Sequence, residues 1–214
     1  MKSLEEALTP RRRSLLERLT DRYGERRAVM VFATVNGTIS VAILALIDHF
    51  TGAPFIFPSL GPTIFHVFSR PMGQVATPRN TFYGHLIGGA CGFASLAAFG
   101  LLGTGSVLQA GMDTPRILAT VLAMAATSGL LVFLRIEHPP AASTTLVFSL
   151  GFMSSFRDFG ILMLAVILVL VQAVVINRRA GFPYPLWRLT PHLLEEYNSE
   201  SERGLPRQGD QGGS

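Results

Sequence analysis

Uncharged apolar stretches alternate with shorter, proline-bearing ones along most of this chain. Residues 28–47, 81–103, 117–134 and 159–176 form four runs of 18 to 23 residues that are almost free of charge. At about 1.5 Å per residue, each makes a helix long enough for a hydrocarbon layer about 30 Å thick. One such run could be a buried core helix, but four predict a bundle of membrane-crossing helices. Two further apolar stretches, residues 54–69 and 141–156, have 16 residues each. As helices they would reach about 24 Å, short of a full crossing. They either dip in and return, giving four crossings, or cross with the help of broken or tilted ends, giving six. The expected class is therefore an all-α polytopic membrane protein. It has four long transmembrane helices and two shorter segments opened by proline.

Charge adds a direction. Only 15% of residues are charged, against about a quarter in soluble domains. Residues 1–27 carry eight basic and five acidic side chains, whereas residues 28–177 hold only five arginines and four acids. Within residues 3–27, Leu15, Leu16, Leu19 and Tyr23 fall at helical spacing with arginines on the other sides. That pattern predicts an amphipathic helix lying in the membrane interface, and it is unlike a cleaved secretory signal. Its basic excess, with Arg178, Arg179 and Arg188 near the other end, puts both termini on the cytoplasmic side. Six crossings leave Arg70, Arg79 and Arg135 on that side too, with Arg116 and Arg157 outside beside Asp113 and Asp158. The charge rule thus favours six. The expected division is an interfacial helix over 1–27, a transmembrane domain over 28–179, and an interfacial anchor with a disordered tail over 180–214. The net charge of +4 points to anionic lipid headgroups rather than nucleic acid. The lone Cys91 excludes an internal disulfide.

The stretch that interrupts this pattern most sharply runs from Glu137 through His138, Pro139, Pro140, Ala141, Ala142 and Ser143 to Thr144 and Thr145. Two consecutive prolines cannot lie inside a helix but can open one. A helix start presents unpaired amides and a positive dipole end, which suit a small anion; a tight turn between two apolar helices is the plainer alternative. An internal echo accompanies it. Pro58, Ser59, Leu60, Gly61, Pro62 and Thr63 align with residues 138–143, and Val67-Phe68-Ser69 then meets Val147-Phe148-Ser149. The order long, short, long occurs twice, over 28–103 and 116–179. Six crossings would make the two halves inverted, and inverted repeats with Pro- or Gly-interrupted segments in matching positions point to a transporter site.

These residues also resemble a family. His138-Pro139-Pro140, together with residues 57–63 (FPSLGPT), Pro78-Arg79-Asn80 and Gly84-His85, is similar to the HPP family of integral membrane proteins over roughly residues 28–179. Plant chloroplast members have been linked to nitrite transport, so the resemblance implies a membrane carrier or channel for nitrite.

Little supports an enzyme, since the chain has no Gly-x-Ser-x-Gly, phosphate-binding glycine loop, His-Glu-x-x-His or cysteine pair. His66, His85 and His138 are conceivable metal ligands, but isolated histidines in apolar segments more often bond to backbone. No metal or cofactor is expected. Polar groups inside membrane segments usually face a bundle interior or cavity. The candidate anion-binding residues are Ser59, Gly61, Thr63, Arg79, Asn80, His85, His138, Ser143 and Thr144. Glu137 beside His138 is the candidate proton-coupling pair. Spacing separates neither nitrite from nitrate, formate or chloride, nor a channel from a proton-coupled carrier. The rival expectation is a membrane scaffold or sensor that transports nothing. Gly84, Gly88 and Gly92 share one helix face, which permits close contact within the bundle or between copies of the chain.

Overall fold

The computed structural model describes residues 15–201, and among them there are helices and no strands. Nine α-helices follow in order: α1 (Leu15–Tyr23), α2 (Glu25–Thr51), α3 (Leu60–Ser69), α4 (Pro78–Ala98), α5 (Val107–Ala110), α6 (Thr114–Phe133), α7 (Pro140–Ser149), α8 (Phe156–Arg179) and α9 (Pro191–Ser201). A single 3-10 turn, Gln74–Ala76, leads into α4.

Three of these helices, α2, α6 and α8, are long and apolar enough to cross a membrane. The sequence predicted four. The remaining run forms α4, which has 21 residues but falls short in hydropathy because glycines, hydroxyls and His85 replace aliphatic residues. The reason is its place in the bundle. Asn80, Thr81, Gly84, His85, Gly88, Gly92 and Ser95 of α4 are all buried. The outer helices instead expose Val31, Val35, Ile39, Val121, Leu122, Ile167 and Val171. Polar atoms point inward and aliphatic ones outward, as expected where lipid is the solvent.

The glycine face of α4 is filled from within. A Cβ on Gly84 would lie 2.6 Å from His138 Cβ, and one on Gly92 2.7 Å from both Phe148 Cβ and the Thr145 carbonyl oxygen. One on Gly88 would collide with the Ala141 carbonyl oxygen. Residue numbers rise together along this seam, so α7 runs parallel to α4 at backbone contact. Of the two contacts expected, within the bundle or between copies, the face makes the first, against α7 of the same chain.

The two short segments are shorter than predicted. Each is a ten-residue helix, about 15 Å long, approached by irregular chain. Phe32 meets Phe68 at a ring-centroid distance of 6.3 Å, and Gly37 lies against Ile64, so α3 is antiparallel to α2. Helix α8 is antiparallel to α4, since Gly89 faces Phe159 and Phe93 faces Phe156. The ends of α8 and α3 are tied where Asn177 Nδ2 donates to the Val67 carbonyl at 2.9 Å. Helices α3 and α8 thus share one sense, and α4 and α7 the other. The two short helices point in opposite directions.

At the chain ends the pattern changes. Of the predicted amphipathic helix over 3–27, Leu15–Tyr23 is helical and residues 1–14 lie outside the described ones. Gly24 at φ +80° breaks it, and Glu25, Arg26 and Arg27 open α2 instead. Residues 181–187, expected as an interfacial anchor, fold back onto the bundle. Phe182 packs 6.0 Å from Phe32, Tyr184 is buried, and Trp187 contacts Phe82 and Tyr83. Helix α9 was not predicted, and the expected disordered tail beyond residue 201 lies outside the described residues.

The α4–α7 seam sets a test. Gly88→Ala should destabilise by about 1–3 kcal/mol through overpacking. Gly129→Ala, where a Cβ meets nothing within 4 Å, should be neutral or stabilising by up to about 1 kcal/mol. Thermal unfolding of both variants in detergent checks the pair.

Candidate functional site

The starts of α3 and α7 converge on one side chain of α4. His85, with no exposed surface, places Nε2 2.9 Å from Thr63 Oγ1 and Nδ1 2.7 Å from Thr144 Oγ1. Thr63 Oγ1 also lies 3.3 Å from His138 Nε2. His138 in turn meets the Val75 carbonyl oxygen through Nδ1 at 3.0 Å. The two imidazoles stand edge to face with centroids 4.8 Å apart. Thr63, His85, His138 and Thr144, four of the predicted residues, therefore form one buried polar row.

Proton positions in this row follow from the partners. A carbonyl only accepts, so Nδ1 of His138 carries hydrogen. In the neutral ring Nε2 then needs a donor, and the Thr63 hydroxyl supplies it. Thr63 in turn accepts from Nε2–H of His85, which leaves Nδ1 of His85 to accept from the Thr144 hydroxyl. All four hydrogens point the same way along the row. Each threonine also has a backbone alternative one turn back. Thr63 Oγ1 is 3.2 Å from the Ser59 carbonyl oxygen, and Thr144 Oγ1 is 3.5 Å from that of Pro140.

Local structure aims these groups. Helix α6 ends in a Schellman turn, with Ile136 N–H bonded to the Leu131 carbonyl and Arg135 at φ +52°, a conformation usually left to glycine. That turn sends residues 136–139 back toward α4. The first amides of the short helices are less available than expected. Ala141 and Ala142 donate to the carbonyls of His138 and Pro139, and Leu60 donates to Phe57. Neither helix has a side-chain cap hydrogen bond. What the site presents is chiefly imidazole and hydroxyl, with Ser59 Oγ buried and without a partner.

The other predicted residues lie elsewhere. Gly61 is exposed. Ser143 is half-buried and lines a cleft of about 490 Å³ with Pro54, Phe57, Pro58, Leu146 and Asp158. Arg79 and Asn80 line a second cleft, of about 270 Å³, with Gln74, Arg135 and Arg188. Arg79 donates there to Asn80 Oδ1 at 3.1 Å and to the Arg135 carbonyl at 3.4 Å. The Gln74–Ala76 turn stands between this cleft and His138. Glu137 is exposed, and the partner of His138 Nδ1 is the Val75 carbonyl rather than that carboxylate. The expected Glu137–His138 pair is therefore not formed. Among the described residues, His66 does not join the other two histidines in any metal-holding group.

The blocks that build the row are those noted in the sequence, and the model of the HPP transmembrane region matches residues 23–185. The chain belongs to the HPP transmembrane region family. No curated protein and no solved structure matches it.

In this HPP-family chain, some supporting groups carry no sequence signal. Val75 acts through its carbonyl. The adjacent Ala76 carbonyl accepts from Tyr184 Oη at 2.5 Å, so the Gln74–Ala76 turn is held from both sides. Burial raises the pKa of that phenol, which keeps it a donor. Thr127 and Thr145 pair their hydroxyls at 2.8 Å between α6 and α7.

Thr63→Val removes the hydroxyl shared by both imidazoles and should lower stability by about 0.5–2 kcal/mol, the range of hydrogen bonds between helices in membranes. Thr63→Ser should restore it. Tyr184→Phe should cost a similar amount by orphaning the Ala76 carbonyl. Unfolding midpoints in detergent for the three variants check both statements.

Proposed function

We propose that this protein is a transporter, not an enzyme, and that it moves a small monovalent anion across a membrane, nitrite foremost. The carrying observation is the convergence of two oppositely directed, proline-opened short helices on His85 in the bundle interior. Broken helices that meet at a buried site are the usual construction of a transporter core. Support also comes from the matching lengths of α3 and α7 and their shared Val-Phe-Ser ends. We read them as counterparts in inverted repeats over 28–103 and 116–179.

In this reading α2, α4, α6 and α8 cross the membrane, α3 and α7 each cover part of its depth, and both termini are cytoplasmic. The solute is held by the hydroxyls of Ser59, Thr63 and Thr144 with His85 and His138. Ser143 lines the approach from one end. Arg79 and Asn80, with Arg135 and Arg188, draw anions to the other. Nitrite is the solute the family resemblance implies, and the site's chemistry suits any small oxyanion. Two copies of the chain would have to associate through a surface other than the glycine face.

One observation favours a second reading. Thr63, His85, His138 and Thr144 satisfy one another, as in a membrane scaffold or sensor whose polar groups serve only helix contact. Flux into proteoliposomes decides between them, with nitrite as solute and nitrate, formate and chloride as competitors. Uptake should exceed that of empty vesicles and fall by about tenfold or more in His138→Ala and Thr63→Ala, as for lost interactions of 1.4 kcal/mol or above. Flux equal to empty vesicles under several pH gradients would favour the scaffold.

A further inference from the structure

We propose that the Thr63 hydroxyl is a two-position switch that lets buried His138 take up one proton, which then travels with the anion. The inference rests on the transport reading above and specifies its coupling.

The argument is a count of hydrogens. Thr63 Oγ1 has one hydrogen to give and two lone pairs to receive. It has three partners, namely His85 Nε2 at 2.9 Å, Ser59 O at 3.2 Å and His138 Nε2 at 3.3 Å. With His138 neutral, Thr63 accepts from His85 and donates to His138, and the Ser59 carbonyl goes unused. With His138 protonated, Nε2–H donates to Thr63, which then accepts twice and turns its own hydrogen to Ser59 O. In both states every hydrogen of the row has an acceptor, while the Ser59 carbonyl is bonded only in the second. The step forms one N–H bond at His138 Nε2 from hydronium in the surrounding water. Thr63 keeps its hydrogen and only its Cβ–Oγ1 torsion changes.

His85 is less suited to the same role. An extra hydrogen on its Nδ1 would force Thr144 to turn toward the Pro140 carbonyl at 3.5 Å, beyond a good hydrogen bond. The charge therefore settles on His138, two residues before α7 begins. The titratable ring packed against His138 is His85 on α4, at 4.8 Å between centroids, and α3 carries His66. Glu137, its chain neighbour, is exposed. Arg79, at the start of α4, and Arg135, at the end of α6, line the cleft beyond the Gln74–Ala76 turn. Asp158 on α8 lines the other cleft. Among the described residues no carboxylate hydrogen-bonds to the row, so an incoming anion is the natural counter-charge. A buried lone cation is costly, and a proton with an anion is neutral.

The test follows protons and nitrite together in vesicles loaded with a pH dye, with empty vesicles subtracted for leak of the neutral acid. One proton should enter per anion, and potentials set with valinomycin and potassium should leave uptake unchanged. Thr63→Ser should keep the coupling, and Thr63→Val should lower proton movement by about tenfold or more. Anion uptake that carries charge without protons would sink the switch and leave transport standing. If no anion moves, the transport reading fails, and the switch is judged by 15N NMR of histidine-labelled protein in nanodiscs. There, acid should convert His138 from the Nδ1–H tautomer to imidazolium while His85 stays Nε2–H. Protonation of His85 first, or of neither ring before unfolding, would overturn it.

Discussion

The absence of three side chains on one stripe of α4 governs the geometry of everything near it. With no Cβ at Gly84, Gly88 and Gly92, the backbones of α4 and α7 touch, and His138 lies directly on the α4 main chain. His85 is the residue after Gly84, so seating His138 there brings the two imidazoles to 4.8 Å. Apolar lipid supplies no hydrophobic drive between helices, so close van der Waals contact and interhelical hydrogen bonds must hold α7 in place. The seam supplies both, through the glycines and the His85–Thr144 pair, and the Thr127–Thr145 pair ties α7 to α6 as well.

That seam would be of little use if α7 ran the full depth of a membrane. At about 15 Å, α7 and α3 start inside the bundle, where Leu60, Thr63, Pro140, Ala141 and Thr144 are buried, with oppositely directed dipoles whose positive ends come together. The amides there are partly engaged by nearby carbonyls, so the dipoles act mainly as a background field. Selectivity, in the proposed function, falls to the side chains of Ser59, Thr63, His85, His138 and Thr144, of which His138 is fixed from the outside. Val75 holds His138, and Tyr184 holds the turn that carries Val75.

Much of this was legible in the chain. Four apolar runs became α2, α4, α6 and α8 within a few residues, because length and lack of charge leave a buried or lipid-facing helix little alternative. The two proline-bearing stretches were placed correctly as helix starts, since proline tolerates a first turn and little else. Thr63, His85, His138 and Thr144 were named and are together. Arg79 and Asn80 were named and are not, because a start beside the second long helix says nothing of which side of the Gln74–Ala76 turn it faces. Glu137 was paired with His138 on adjacency alone, and adjacent side chains in irregular chain commonly diverge. Val75 was invisible in principle, because a carbonyl is the same at every residue. Tyr184 lies in the stretch expected to anchor at the interface, because nothing local shows that the chain folds back.

The kind of charge at the centre matters as much as its position. Among the described residues no lysine or arginine hydrogen-bonds to the row, and the nearest basic group predicted for the site, Arg79, is engaged with Asn80 and the Arg135 carbonyl. A permanent guanidinium about 4 Å from a bound anion would attract it by about 4 kcal/mol at an effective dielectric of 20. That is about a thousandfold in affinity, present equally when the anion should enter and when it should leave. A histidine avoids this, since its charge can be gained and lost. A site built from neutral hydroxyls and a titratable ring can thus bind in one proton state and empty in the other. In the proposed function, the row observed here, uncharged and bonded among its own groups, corresponds to the emptied state.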